Sequence, residues 1–205
     1  MWIQNLMFSL FGLSLAATAL GQSHAMIDRN RSSWQNNIFL TQSIEGEYGS
    51  FETKASDSDA VSHKTWRGYG IRNGVGMEAF KFIQFSLSHT MFHQNAKSSS
   101  LENARGSRLA ADLGLVFSAP IANIQFNAGL TAAEMDYQKG DENAAYSGTG
   151  RYLGLGLTYF FSPRLSLQAL GKQMSSFYAK DGGNLAQDRI ETKMENFSLG
   201  LSVWL

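Results

Sequence analysis

The chain has 205 residues and no net formal charge, with 17 Lys+Arg against 17 Asp+Glu, so no basic field exists to gather nucleic acid. A composition of 43% apolar and 12% aromatic residues with 20 Gly, 2 Pro and no Cys excludes a disordered chain and a coiled coil. The lack of cysteine also excludes a disulfide scaffold, a thiolate metal site and an acylated lipoprotein cysteine.

Residues 6–20 are a continuous run of apolar and small side chains, too short to cross a bilayer as a helix. The small-residue pattern Ser23-His24-Ala25 follows, so residues 1–25 read as a cleavable signal peptide, with cleavage after Gly21 as the alternative. The remainder, residues 26–205, is expected to be one domain.

Beyond the signal, side chains alternate with period two. Ile38, Leu40, Ile44 and Tyr48 oppose Thr41, Ser43, Glu45 and Glu47. Tyr69, Ile71, Val75 and Met77 oppose Arg72, Gly74, Gly76 and Glu78, and Ile83, Phe85, Leu87 and Met91 oppose Gln84, Ser86, Ser88 and Thr90. Strands four and five set Leu109, Leu113 and Leu115 against Arg108 and Asp112, then Ile124, Phe126 and Leu130 against Gln125, Asn127 and Thr131. Strands six and seven set Leu153, Leu155 and Leu157 against Tyr152, Gly154 and Gly156, then Leu165 and Leu167 against Ser166, Gln168 and Lys172. The eighth carries Phe197, Leu199, Leu201 and Val203 against Ser198, Gly200, Ser202 and Trp204. Tight links are expected near 79–81, 118–122 and 162–164, and long polar links near 52–63, 95–106, 138–150 and 179–191. Long and short links alternate, which predicts an all-β, eight-stranded antiparallel up-and-down meander with the long loops at one end.

Such a meander closes into a barrel that turns its apolar face either inward around a ligand or outward to lipid. The other parity here is rich in Gly, Ser and Thr with single charges, which suits a narrow polar lumen. The apolar parity is aliphatic at strand centres. Its aromatics are expected in two girdles: Tyr48, Phe51, Trp66, Tyr69, Tyr137 and Tyr152 near the long loops, and Phe80, Phe82, Phe117, Tyr159, Phe160 and Phe161 near the short turns. Both signs favour a transmembrane barrel.

The closing segment 194–205, MENFSLGLSVWL, resembles the terminal strand signal of bacterial outer-membrane proteins. The whole mature chain resembles the small OmpA-, OmpX- and opacity-type barrels in pattern. The resemblance implies an integral protein of a Gram-negative outer membrane, with periplasmic short turns and surface-exposed long loops. It also implies outer-membrane lipid and lipopolysaccharide as surroundings, and periplasmic chaperones and the barrel-assembly machinery as partners in biogenesis.

Catalytic chemistry is not expected, nor any cofactor or metal. His89 and His93 share one face but lie about 13 Å apart at strand rise, too far to hold one ion together. Ser88 adjoins His89 yet points to the opposite face, so the two form no nucleophile–base pair. The charged residues of the polar parity are Glu45, Glu47, Arg72, Glu78, Arg108, Asp112 and Lys172. Of these, Glu45, Glu47, Arg72, Asp112 and Lys172 are expected at similar heights, as a charge cluster bridging the lumen. The expected function is a monomeric, non-enzymatic barrel with a structural or adhesive role, its loops open to an extracellular ligand. A narrow channel or apolar-ligand conduit is the alternative, and a lipid A acyl hydrolase or transferase the third.

Overall fold

The computed structural model describes residues 38–55, 61–79, 82–99, 101–118, 122–162 and 164–205. The predicted signal peptide, Phe80, Pro120 and Pro163 lie outside them. Eight strands follow one another in a closed ring: β1 (Ile38–Ala55), β2 (Val61–Ala79), β3 (Ile83–Ala96), β4 (Glu102–Ser118), β5 (Ala122–Lys139), β6 (Glu142–Ser162), β7 (Leu165–Gly183) and β8 (Gln187–Trp204). Every neighbouring pair is antiparallel, including the closure of β1 on β8. Closure leaves no strand edge along the wall, which is what lets a sheet cross hydrocarbon with its backbone groups satisfied.

Alternation sets the two surfaces. Ile44, Ile71, Leu87, Leu113, Leu130, Leu155 and Leu199 are exposed, while Glu45, Arg72, Ser86, Asp112, Thr131 and Ser198 are buried. The protein is therefore apolar outside and polar inside at mid-height, the inverse of a water-soluble barrel. That arrangement is stable only when hydrocarbon covers the outside.

Two expectations need correction. The long polar links are not loops, because the strands continue through most of them. β1 still pairs with β2 at Lys54↔Val61, β4 with β5 at Glu102↔Lys139, and β5 with β6 at Lys139↔Glu142. Strands of 14 to 21 residues exceed the roughly 9–11 needed to cross a bilayer. The excess stands beyond the lipid band as paired hairpins with short tips. Water on the outer face of these extensions makes their outward parity polar, while the inward parity carries aromatics such as Tyr137, Tyr146 and Tyr178, and this reversal of the apolar face hid the strands from the periodicity test. The β5–β6 tip turns at Gly140, whose φ of +63° favours glycine.

The upper girdle is the second correction. Tyr48 and Tyr69 face outward, but Phe51, Trp66, Tyr137 and Tyr152 are 1%, 0%, 2% and 4% exposed and lie inside the barrel. Phe160, expected in the lower girdle, also faces inward, while Phe82, Phe117, Tyr159 and Phe161 are outward as a girdle requires. Parity explains the difference: Phe51 shares its face with Glu45 and Glu47, and Trp66 shares its face with Arg72.

Candidate functional site

The inward side chains of β1 read from the short-turn end as Phe39, Thr41, Ser43, Glu45, Glu47 and, past Gly49, Phe51. They sample three layers that fill the lumen in turn. At the short-turn end Phe39 and Phe160 flank Trp204, with ring centroids 4.8 and 5.5 Å away. The Trp204 indole N–H donates to Ser166 Oγ at 2.9 Å, which satisfies the polar end of a buried ring.

The middle layer is ionic. Arg108 donates to Glu47 Oε1 at 2.6 Å and to Glu45 Oε2 at 3.3 Å. Lys172 donates to Glu45 Oε1 at 3.1 Å. Arg72 lies between two carboxylates, 3.9 Å from Glu45 and 3.7 Å from Asp112. Three cations thus face three carboxylates, and all six side chains are at most 7% exposed. Neutral groups complete the shell: Ser86 and Tyr152 donate to Asp112 at 2.6 and 2.5 Å, Asn196 donates to Glu47 Oε1 at 3.0 Å, and Gln94 donates to Glu47 Oε2. The Arg108 guanidinium also lies 5.4 Å from the Phe92 ring centroid, and the Lys172 ammonium 5.0 Å from that of Tyr152. Such a layer holds because each buried charge meets opposite charge, and all but Arg72 are held by hydrogen bonds as well.

Register explains the convergence. Lys172, Asn196, Glu47, Gly68 and Gln94 are successive partners across β7, β8, β1, β2 and β3. Arg72, Thr90 and Arg108 form another such row across β2, β3 and β4. Space for the layer comes from Gly129, where an added Cβ would lie 2.5 Å from Tyr152 Cζ.

The structure brings together Glu45, Glu47, Arg72, Asp112 and Lys172. It puts Arg108 among them, an inward charge that sequence reading found but did not group with the rest. Arg108 holds Glu47 and Glu45 at once. Its height relative to β1 depends on the stagger of the closed barrel, which no single strand encodes. Glu78 sits nearer the short turns, opposite Gln84. His89 and His93 face outward, away from the inward Ser88.

The third layer, toward the hairpin tips, is aromatic. Phe51 stacks on Trp66 at 4.3 Å, and Trp66 meets Tyr137 at 5.6 Å. Tyr146, Tyr178, Met135, Met194, Leu185 and Ile190 join the same cluster. The Tyr146 hydroxyl donates to the Gln187 carbonyl at 2.6 Å, and the Tyr137 hydroxyl to Glu102 at 3.3 Å. Lys64 pairs with Glu102 at 2.5 Å.

No protein-family model matches the chain, and no curated protein matches it. Solved structures do. The crystal structure of Neisserial surface protein A aligns at a TM-score of 0.55 and 14% identity, covering 82% of this chain and 97% of that one. OprG, an outer membrane protein from Pseudomonas aeruginosa, aligns at 0.54 and 9% identity, covering 83% and 97%. The outer membrane protease OmpT from Escherichia coli aligns at 0.43 and 9% identity, covering 83% and 97%. The chain is an outer-membrane β-barrel in fold. For an outer-membrane barrel the apolar exterior is the lipid-facing wall, and the three filled layers lie within the lumen.

Proposed function

We propose that this protein is a closed membrane anchor that works from its hairpin end, where paired strands beyond the lipid band present a surface to an extracellular partner. The observation that supports this reading is the filled lumen. An eight-stranded barrel has an interior just wide enough for its own side chains, and here the ionic layer spans it below a packed aromatic layer. A solute entering from the tips would have to displace the Phe51–Trp66–Tyr137 cluster and then part Arg108 from two carboxylates. With that passage blocked, the surfaces left for function are the outer wall and the extended hairpins, whose outward residues include Arg67, Arg105, Glu134, Asp136 and Lys193. The short turns lie on the periplasmic side in this reading, and no reaction is assigned to the protein.

The test replaces the tips at 56–60, 97–101 and 140–141 with Gly-Ser turns of equal length, leaving the barrel and the buried Leu185 at the fourth tip intact. Attachment of cells to host-cell and bacterial-cell layers is then measured beside uptake of a small polar dye. The expected result is lost attachment with unchanged uptake. Changed dye uptake with unaltered attachment would overturn the reading in favour of a conduit.

A further inference from the structure

The outward residues at the upper edge of the lipid band differ from wall to wall. On β2, β3 and β4 they are Arg67, His93 and Arg105. His93 is the cross-strand partner of both Tyr69 and Arg105, while Arg67 stands one outward position beyond Tyr69 and pairs with Asn95. Two interstrand spacings and a two-residue step put the backbones of Arg67 and Arg105 roughly 10–12 Å apart. Partner rows climb toward the hairpin tips on passing from β1 to β8, because the row through Gln42, Asn73, His89 and Leu109 returns to β1 at Glu52. That climb brings Arg105 level with Arg67. The outward positions beneath them are apolar: Ile71 on β2, Met91 on β3 and, past Ser107, Leu109 on β4.

Cations elsewhere on the wall are placed differently. Arg151 on β6 stands between Leu130 and Ser175, with no second cation beside it. Lys193 on β8 is shared between Glu52 and Glu191 at 3.7 and 3.8 Å, and β5 presents Glu134 and Asp136. By contrast, Arg67 makes no ion pair among the described residues. Arg105 approaches Asp136 only to 4.0 Å, with the two side chains 73% and 69% exposed, a contact too loose to hold its charge. Beside the arginines lie the rings of Tyr69 and His93, 5.8 Å apart and tilted by 51°. Guanidinium groups grip phosphate through paired hydrogen bonds, and the low dielectric at the edge of the hydrocarbon strengthens such contacts.

We propose that Arg67, Tyr69, His93 and Arg105 form a binding site for the phosphorylated disaccharide of lipid A. The chemistry of the wall selects this occupant. Two separated cations at one level match phosphates at the two ends of a sugar pair better than the single phosphate of a phospholipid. The Tyr69 and His93 rings offer a face to the sugars and an imidazole that hydrogen-bonds them. Ile71, Met91 and Leu109 continue downward into the band where acyl chains lie, a surface that a soluble anionic polymer does not use. The proposal takes from the anchor reading that the hairpin end is extracellular, so that the upper edge of the band meets the outer leaflet.

The test offers three lipids to the purified, folded barrel in neutral detergent: lipid A, lipid A stripped of its phosphates, and phosphatidylglycerol. Native mass spectrometry reads the fraction of protein that keeps one lipid. The wild type is expected to retain lipid A at least tenfold better than either of the others. Arg67→Gln with Arg105→Gln should abolish that preference. Arg151→Gln with Arg164→Gln removes the same charge elsewhere on the exposed surface and should leave retention within twofold of wild type. Tyr69→Ala should lower retention several-fold. All these side chains point outward, and circular dichroism confirms that each variant still closes its barrel. Equal losses from the two arginine pairs, retention indifferent to the phosphates, or retention of phosphatidylglycerol equal to that of lipid A would each overturn the proposal. Because purified protein is used, failure here leaves the attachment test of the hairpins standing, and failure of that test leaves lipid retention unchanged.

Discussion

The ionic and aromatic layers occupy neighbouring slices of one lumen and fill it by different means. In the ionic layer every member has a fixed partner, and Arg108 serves Glu47 and Glu45 together. In the aromatic layer Phe51, Trp66 and Tyr137 meet through ring faces and edges over 4.3 to 5.6 Å, and shape matters more than partner identity. A charge buried beneath lipid-covered walls has no solvent to fall back on, so its layer is intolerant of single losses. An apolar layer between hairpins bathed in water on their outer side should accommodate changes that keep its volume.

The sharpest way to break this contrast is Arg108→Ala. It leaves Glu47 facing the neutral amides of Gln94 and Asn196, and is expected to cost about 3–5 kcal/mol in a urea titration in lipid vesicles. A loss below 1 kcal/mol by the same titration would show that the layer is hydrated and loosely paired. Next comes a test of the wall that makes the lumen dry. Arg at Leu113 or Leu155 should destabilise the barrel by about 2–4 kcal/mol if these positions meet the bilayer centre, with a milder effect from Arg at Ser86 or Thr131. Equal penalties on both parities would undo the assignment of faces.

Tyr152→Phe removes one donor from Asp112 and keeps the ring beside Lys172, so a loss of about 1–3 kcal/mol is expected. In the aromatic layer Phe51→Leu should cost on the order of 1 kcal/mol or less, and a penalty matching Arg108→Ala would erase the distinction between the layers. The smallest effect is expected at the tips. Epitope tags near Asp57, Ser99 and Asp141 should leave the unfolding midpoint unchanged and react with antibody on intact cells. Labelling only after permeabilisation would reverse the orientation.

Much of this was legible in the chain because a barrel wall imposes a strict period. Ile71 against Arg72, or Leu113 against Asp112, assigns each residue to lipid or lumen with no tertiary information. Phe51 and Trp66 were legible too, since parity outranks residue type: an aromatic on the face of Glu47 or Arg72 is inside, whatever girdles prefer. Height is what a single strand hides. The stagger of the closed barrel decides that Lys172 stands level with Glu47 and that Arg108 reaches both glutamates. The hairpin extensions were invisible for a different reason, since residues such as Thr53 and Ser62 pair in register where the outward parity turns polar to meet water and the apolar parity changes to the inward face.

The central claim is that the lumen is closed, and electrical recording from purified protein in a planar bilayer tests it most directly. The wild-type barrel is predicted to pass no steady current at moderate voltage in either direction, since the Arg108–Glu45–Glu47 contacts and the aromatic layer stand across the lumen. Stable, reproducible single-channel steps from the folded wild-type protein, unaltered by Arg108→Ala, would contradict the account and make conduction its function.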